Sequence, residues 1–168
     1  PVFIVGGGPV GMTLALELAH HGVRSILCER NAAATTFPKM DLTNGRSMEL
    51  FRRLGVADDL RAVGVPPSEW LDVVWATSAA GHVLHRFAYP SPACTRDLAR
   101  VKNDGSATLE PPMRASQVVI EPVLKAKIDQ NPLVDVRFGW MLDTFEQDDS
   151  GVNVTIAHSE TGQKEIIR

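Results

Sequence analysis

Three glycines, Gly6, Gly8 and Gly11, stand in the spacing G-x-G-x-x-G within "FIVGGGPVGMTLALE", Phe3 to Glu17, and an acidic residue, Glu29, follows about twenty residues on. These residue types at this spacing suit one task, which is holding a dinucleotide by its pyrophosphate. Gly6 permits a tight turn, Gly8 lets the backbone approach the phosphates, and Gly11 lets a helix pack close against a strand. The helix that opens after the loop offers unpaired N–H groups and the positive end of its dipole to an anion. Glu29 would accept hydrogen bonds from ribose hydroxyls, and its charge would repel the additional 2′-phosphate of NADP. On these residues the ligand is FAD or NAD. The plain alternative is a glycine-rich turn beside a solvated strand-end carboxylate.

Such a loop works only if a strand, a helix and a second strand hold it. Val2 to Val5 reads as a buried strand, and Pro9 to His21 as a helix with Leu14, Ala15, Leu16, Leu18 and Ala19 on a broad apolar surface, closed at Gly22. Ser25 to Cys28 is the second strand, ending at Glu29 and Arg30. A loop over Ala32 to Phe37 leads to a helix from Thr43 to Leu54 and a short helical turn over Ala57 to Val63. The period then changes: Trp70 to Phe87 reads as a hairpin turned at Ala80-Gly81, and Pro90 to Pro112 as a long loop rich in Pro, Gly, Ser and charge. Ser116 to Ile128 is a helix with Ser116 as N-cap, kinked or truly started at Pro122. Val134 to Phe138 is a strand, and an alternating hairpin turned at Asp149-Ser150-Gly151 follows. A last strand near Glu165 is expected to have nothing to pair it. Trp70, Trp75 and Trp140 are expected in sheet core, with Trp75 the candidate for a substrate pocket.

The bulk of the chain narrows the partners. Its 168 residues are 44% hydrophobic and 22% charged, ordinary globular material with a formal charge of -3, so neither nucleic acid nor an anionic membrane is indicated. A small molecule is the default partner. Val2 to Val5 is too short for a signal or a membrane span, and the expected location is cytoplasmic. Cys28 and Cys94 lie far apart without ligand spacing, His20 and His21 end a helix, and His82 and His85 lack the alternation to face one ion, so the histidines read as structural and no metal site is expected.

"FIVGGGPVGMTLALELAHHGV" with "ILCER", then "NGRSMELFRRLGV", "MRASQVVIEPVL" and "VDVRFGWMLDTFEQDDSGVNVTI" together resemble the FAD-dependent aromatic hydroxylases, the class A flavoprotein monooxygenases, and among them the phenol hydroxylases. The resemblance implies an α/β chain with a Rossmann-like FAD-binding fold and an inserted β-rich substrate domain, incomplete at its C-terminal end. It implies a first FAD-binding part over 1–66, the start of the substrate domain over 67–112, and the FAD-binding domain continued over 113–168. A Gly-Asp segment that binds FAD and NADPH is expected just after Arg168, and the fragment alone is expected to be inactive. FAD is the implied bound cofactor, NADPH or NADH the co-substrate, and a small aromatic compound and O2 the partners, with homo-oligomer formation left open.

By the same resemblance Gly6, Gly8, Pro9, Val10, Gly11, Glu29 and Arg30 hold the cofactor. Arg46 lies near FAD, with a surface arginine beside Glu49 as its alternative, and Gln117 is the glutamine of an R-x-x-Q contact begun at Arg114. Lys39 stands where arginine is usual, keeping a point charge without the bidentate fork. The stretch "KMDLTNGRSME" is similar to the D-x-x-x-x-R-[ST]-x-E pattern of the phenol hydroxylases, and that resemblance implies Asp41 as the residue that orients or deprotonates a substrate hydroxyl. Its alternatives are a cap on the helix expected at Leu42 or Thr43, or plain solvation. A nicotinamide dehydrogenase and a non-catalytic nucleotide-binding fragment are the other function classes.

Overall fold

A computed structural model describes all residues 1–168. In chain order the elements are β1 (Val2–Val5), α1 (Pro9–His20), β2 (Ser25–Glu29), β3 (Leu42–Thr43), α2 (Gly45–Arg53), α3 (Ala57–Ala62), β4 (Val73–Ala76) and β5 (Val83–Phe87). There follow α4 (Pro92–Lys102), β6 (Met113–Arg114), α5 (Gln117–Asp129), β7 (Val134–Phe138), β8 (Trp140–Asp148), β9 (Gly151–His158) and β10 (Lys164–Ile167). They gather into two units, residues 1–39 with 117–168, and residues 40–116.

In the first unit β1, β2 and β7 form a parallel sheet in that order, with Val2 opposite Ser25 and Glu29 opposite Phe138. The apolar residues of α1 that reach the core are Met12, Ala15, Leu16 and Ala19, a stripe at helical spacing. The helix α5 packs beside α1 and buries Ile120, Leu124 and Ile128 on one face. Gln117, at the helix start, and Glu121, between Ile120 and Leu124, share that face, which is why two polar side chains are buried there. The helix runs through Pro122, so the proline does not mark its start. Strands β8, β9 and β10 form an antiparallel meander in which Val154 and Ile156 are buried. The last strand, expected to be unpaired, is paired along β9, with Lys164 opposite Ala157.

The second unit joins β3 to β6 in a two-residue antiparallel pair, Leu42 opposite Arg114 and Thr43 opposite Met113. That pairing ties the start of this unit to its end. Helix α2 starts at Gly45, with Asn44 Oδ1 accepting from the Ser47 N–H at 2.8 Å. Asp41 therefore does not cap it. The stretch expected to be loop from Pro90 to Pro112 contains α4, capped by Ser91, whose Oγ accepts from the Cys94 N–H, and stopped at Asn103 in the left-handed conformation. Ser-Pro at its start and Asn at its end are start and stop signals, and reading them as loop composition hid the helix. Strands β4 and β5 pair only with each other, so their side chains lack a second layer. Trp70 and Trp75 are consequently exposed rather than in sheet core, at 61% and 50%. Trp75 meets Phe87 edge to face, 5.1 Å between centroids.

Glu110 holds this unit together from a half-buried position. Its carboxylate accepts from Arg52 Nε and from Arg61 Nη2, each at 2.7 Å, and Arg61 also donates to the Pro111 carbonyl. Burial raises the Glu110 carboxyl, but the two guanidinium hydrogen bonds outweigh it and hold its pKa below the ordinary value. A lowered folded pKa gives stability that is full above the unfolded value and is lost as pH falls through the folded one. Glu110→Ala should therefore lower stability at neutral pH by about 1–3 kcal/mol. In urea unfolding the gap between variant and parent should close as the pH is lowered.

Candidate functional site

The glycine loop leaves β1 and is tied to the end of β2 by the Gly6 N–H donating to the Cys28 carbonyl at 2.8 Å. Gly6 has φ +110°, which disfavours any side chain. Gly8 is the N-cap of α1, no side chain caps it, and no acidic residue lies in the first turn. The first N–H groups of α1 are thus left for a ligand, with Pro9 supplying none of its own and Val10 projecting outward, 85% exposed. A methyl group at Gly11 would lie 2.0 Å from the Gly6 carbonyl oxygen, so this position sets the approach of helix to strand.

Glu29 closes over the loop. Its Oε2 accepts from the Gly7 N–H at 2.8 Å, and its Oε1 accepts from the Asn31 N–H at 2.9 Å and from Asn31 Nδ2 at 2.7 Å. Gly7 allows this: a Cβ there would stand 2.7 Å from the Glu29 Cβ and 2.9 Å from the Phe138 ring. A carboxylate has about four acceptor directions, so one remains for a ribose hydroxyl while Asn31 stays in place. Glu29→Ala would leave the Gly7 and Asn31 N–H groups without their acceptor. It should weaken FAD binding about 10- to 100-fold in a flavin fluorescence titration, as loss of charge-assisted hydrogen bonds does, and Glu29→Gln should weaken it less.

Gln117 is 8% exposed and doubly engaged: its Oε1 accepts from the Lys39 N–H at 3.0 Å and its Nε2 donates to Glu121 Oε1 at 2.6 Å. Glu121 Oε2 accepts in turn from the Thr35 N–H at 2.8 Å. Gly7, Gly8, Glu29, Arg30, Gln117 and Glu121 are among the residues lining a polar cavity of about 200 Å³. Gly6, Pro9, Val10 and Gly11 form the turn and helix start beside it. Arg30 stands exposed at its rim, its carbonyl accepting from the Ser159 hydroxyl. Lys39 enters through its backbone N–H. A larger cavity, about 640 Å³, is lined mainly by apolar residues such as Val2, Phe3, Leu142 and Phe145 and offers little to a phosphate or ribose. The uncapped start of α1, the acid at the end of β2 and this polar cavity fit the adenosine and pyrophosphate of a dinucleotide.

Asp41 and Arg46 belong to the second unit. Arg46 is exposed and pairs with Glu49 at 3.0 Å, one turn on. Asp41 is fixed by its carbonyl, which accepts from the Ala115 N–H at 2.8 Å, and its Oδ2 lies 3.5 Å from Arg114 Nε. Its side chain is 68% exposed. Sequence reasoning missed Gly7, Asn31 and Glu121. The signal for Glu121 was present, a carboxylate four residues after Gln117 on an otherwise apolar helix face.

A parallel β1-β2-β7 sheet, a glycine loop opening α1 and an acid at the end of β2 define a dinucleotide-binding α/β protein. The chain belongs to the FAD binding domain family, whose model matches residues 1–168. It is 45% identical over 163 residues to the FAD-dependent monooxygenase apdD of Emericella nidulans, covering 96% of this chain and 26% of that protein. It is 29% identical over 167 residues to phenol 2-monooxygenase of a Pseudomonas species, covering 99% of this chain and 27% of that protein. A solved structure of the flavin-dependent monooxygenase PieE in complex with FAD and substrate superimposes with a TM-score of 0.84 at 31% identity, covering 100% of this chain and 28% of that one. The fold is thus the Rossmann-like one of the FAD-dependent aromatic hydroxylases, and the chain spans about a quarter of the length of these relatives. No helix in it is long and apolar enough to cross a membrane.

Proposed function

We propose that this chain holds the adenosine diphosphate half of FAD in an enzyme that uses NADPH or NADH and O2 to hydroxylate a phenolic or related aromatic compound. The observation that carries the reading is the closure of Glu29 on the Gly7 N–H beside an uncapped helix start. Bound FAD would supply the oxygen-transfer chemistry. In this reading the Gly8 backbone and the α1 N–H groups receive the pyrophosphate, Glu29 the ribose, and Arg30, Arg46 and Gln117 further parts of the cofactor. Glu29 disfavours a 2′-phosphate here, so NADPH as co-substrate would be met elsewhere in the protein. Asp41 orients or deprotonates the phenol, with Arg114 holding its carboxylate. FAD is favoured over NAD as the resident nucleotide by the family to which the chain belongs. The visible spectrum of the protein that carries this chain tests it. Flavin absorption, with oxygen uptake and NADPH oxidation stimulated by a phenol, is the expected result. A colourless protein that binds NAD would sink the reading.

A further inference from the structure

Glu121 is 3% exposed and is the one ionisable residue among the buried polar groups, the others being Ser25, Thr43, Ser91 and Gln117. A buried carboxylate persists only where donors fill it. Its donors are not its helix neighbours' backbone but the Gln117 amide, one turn back, and the Thr35 N–H across the chain. Gln117 passes the contact on to the Lys39 N–H. The amide's orientation is dictated by its partners, because a backbone N–H must meet its oxygen and a carboxylate must meet its nitrogen. One helical turn of α5 thereby holds the 31–39 segment at two points, Thr35 and Lys39. The same segment supplies Asn31, which donates to Glu29. Glu121 Oε1 would also stand only 4.0 Å from a methyl group at Gly8.

We propose that Glu121 is a positioning residue for the cofactor: its two oxygens set the Gln117 amide and the 35–39 backbone as one wall of the cradle whose other wall is Gly7, Gly8 and Glu29. The proposal rests on the flavin reading above. It makes a prediction about hydrogen-bond polarity that a merely space-filling glutamate would not. In Glu121→Gln the new amide can satisfy Thr35 only by turning its nitrogen toward that of Gln117, so donor faces donor. In the double variant Gln117→Glu/Glu121→Gln every bond is restored: the carboxylate at 117 accepts from Lys39 and from the new amide, which accepts from Thr35.

Amide hydrogen exchange at Thr35 and Lys39 in flavin-free protein, and FAD affinity by reconstitution of the same protein, test this in the full protein. Glu121→Gln should speed exchange at one or both amides and weaken FAD binding, each about tenfold, as loss of one charged hydrogen bond does. The double variant should recover the protection and part of the affinity. Wild-type exchange rates in Glu121→Gln would overturn the proposal, as would fast exchange combined with undiminished FAD binding. Wild-type protein that takes up no FAD would instead refute the flavin reading, and the positioning role with it. That result is told apart because it appears before any substitution is made.

Discussion

Gly11→Ala is expected to abolish FAD binding and to cost about 3 kcal/mol of stability, the upper range for a forced overpacking. The added methyl would stand 2.0 Å from the Gly6 carbonyl oxygen and 3.4 Å from Ile4 Cγ2. The obstacle is backbone, and it cannot swing aside. Gly6 is held by its N–H on Cys28 and already sits at φ +110°. Relief must come from lifting α1 off the sheet, which drags Met12, Ala15, Leu16 and Ala19 with it. Gly8→Ala makes the contrast. Its backbone, φ -77° and ψ -178°, suits any residue, and its nearest atom is Glu121 Oε1 at 4.0 Å. Stability should change by less than about 1 kcal/mol, the scale of an altered N-cap. FAD affinity should fall about 100-fold, equivalent to about 2.7 kcal/mol, because the methyl occupies the space the phosphates need. Urea unfolding and flavin titration of both variants separate the two effects. Equal loss of stability at both positions would overturn the steric contrast, and wild-type affinity in Gly8→Ala would mean that the pyrophosphate does not lie against Gly8.

The difference between these two glycines also marks how far the sequence could be read. Strand, loop, helix and strand over 2–29 were legible because each is local: an apolar run, a glycine turn, a helical stripe and a stop at Gly22, although of the first strand only Ile4 is buried and Val2 and Val5 are exposed. The role of Gly7 was not, because it depends on Phe138 and Glu29 meeting over it across parallel strands. The place of Glu121 on the apolar face of α5 was legible, but its partner was not, for the same reason. Thr35 arrives from 86 positions away. A helix cap was the alternative role for Asp41, because Asp before a helical pattern is often one. The two-residue pairing of β3 with β6 displaced the helix start to Asn44, and no local pattern announces a pair so short and so distant. The exposed tryptophans follow the same logic: β4 and β5 have aromatic strand composition but no second layer.

With capping assigned to Asn44, Asp41 is left as a carboxylate that is positioned without being consumed by structure. Its backbone is pinned by Ala115, and Arg114, whose Nη2 donates to the Leu71 carbonyl at 3.0 Å, lies 3.5 Å from one oxygen. In the proposed function its other oxygen would accept the proton of a phenol. Asp41→Asn keeps the size and removes the basic site, so hydroxylation should slow about 100-fold, the low end of what a positioned general base contributes. FAD should stay bound, since the glycine loop and Glu29 are untouched. The sharper measurement varies the substrate. A phenol already ionised at the assay pH needs no base, and on it the variant should lose much less than on an un-ionised one. An equal loss on both would make Asp41 an orienting group rather than a base. Unchanged hydroxylation of both would return it to a solvated carboxylate paired with Arg114.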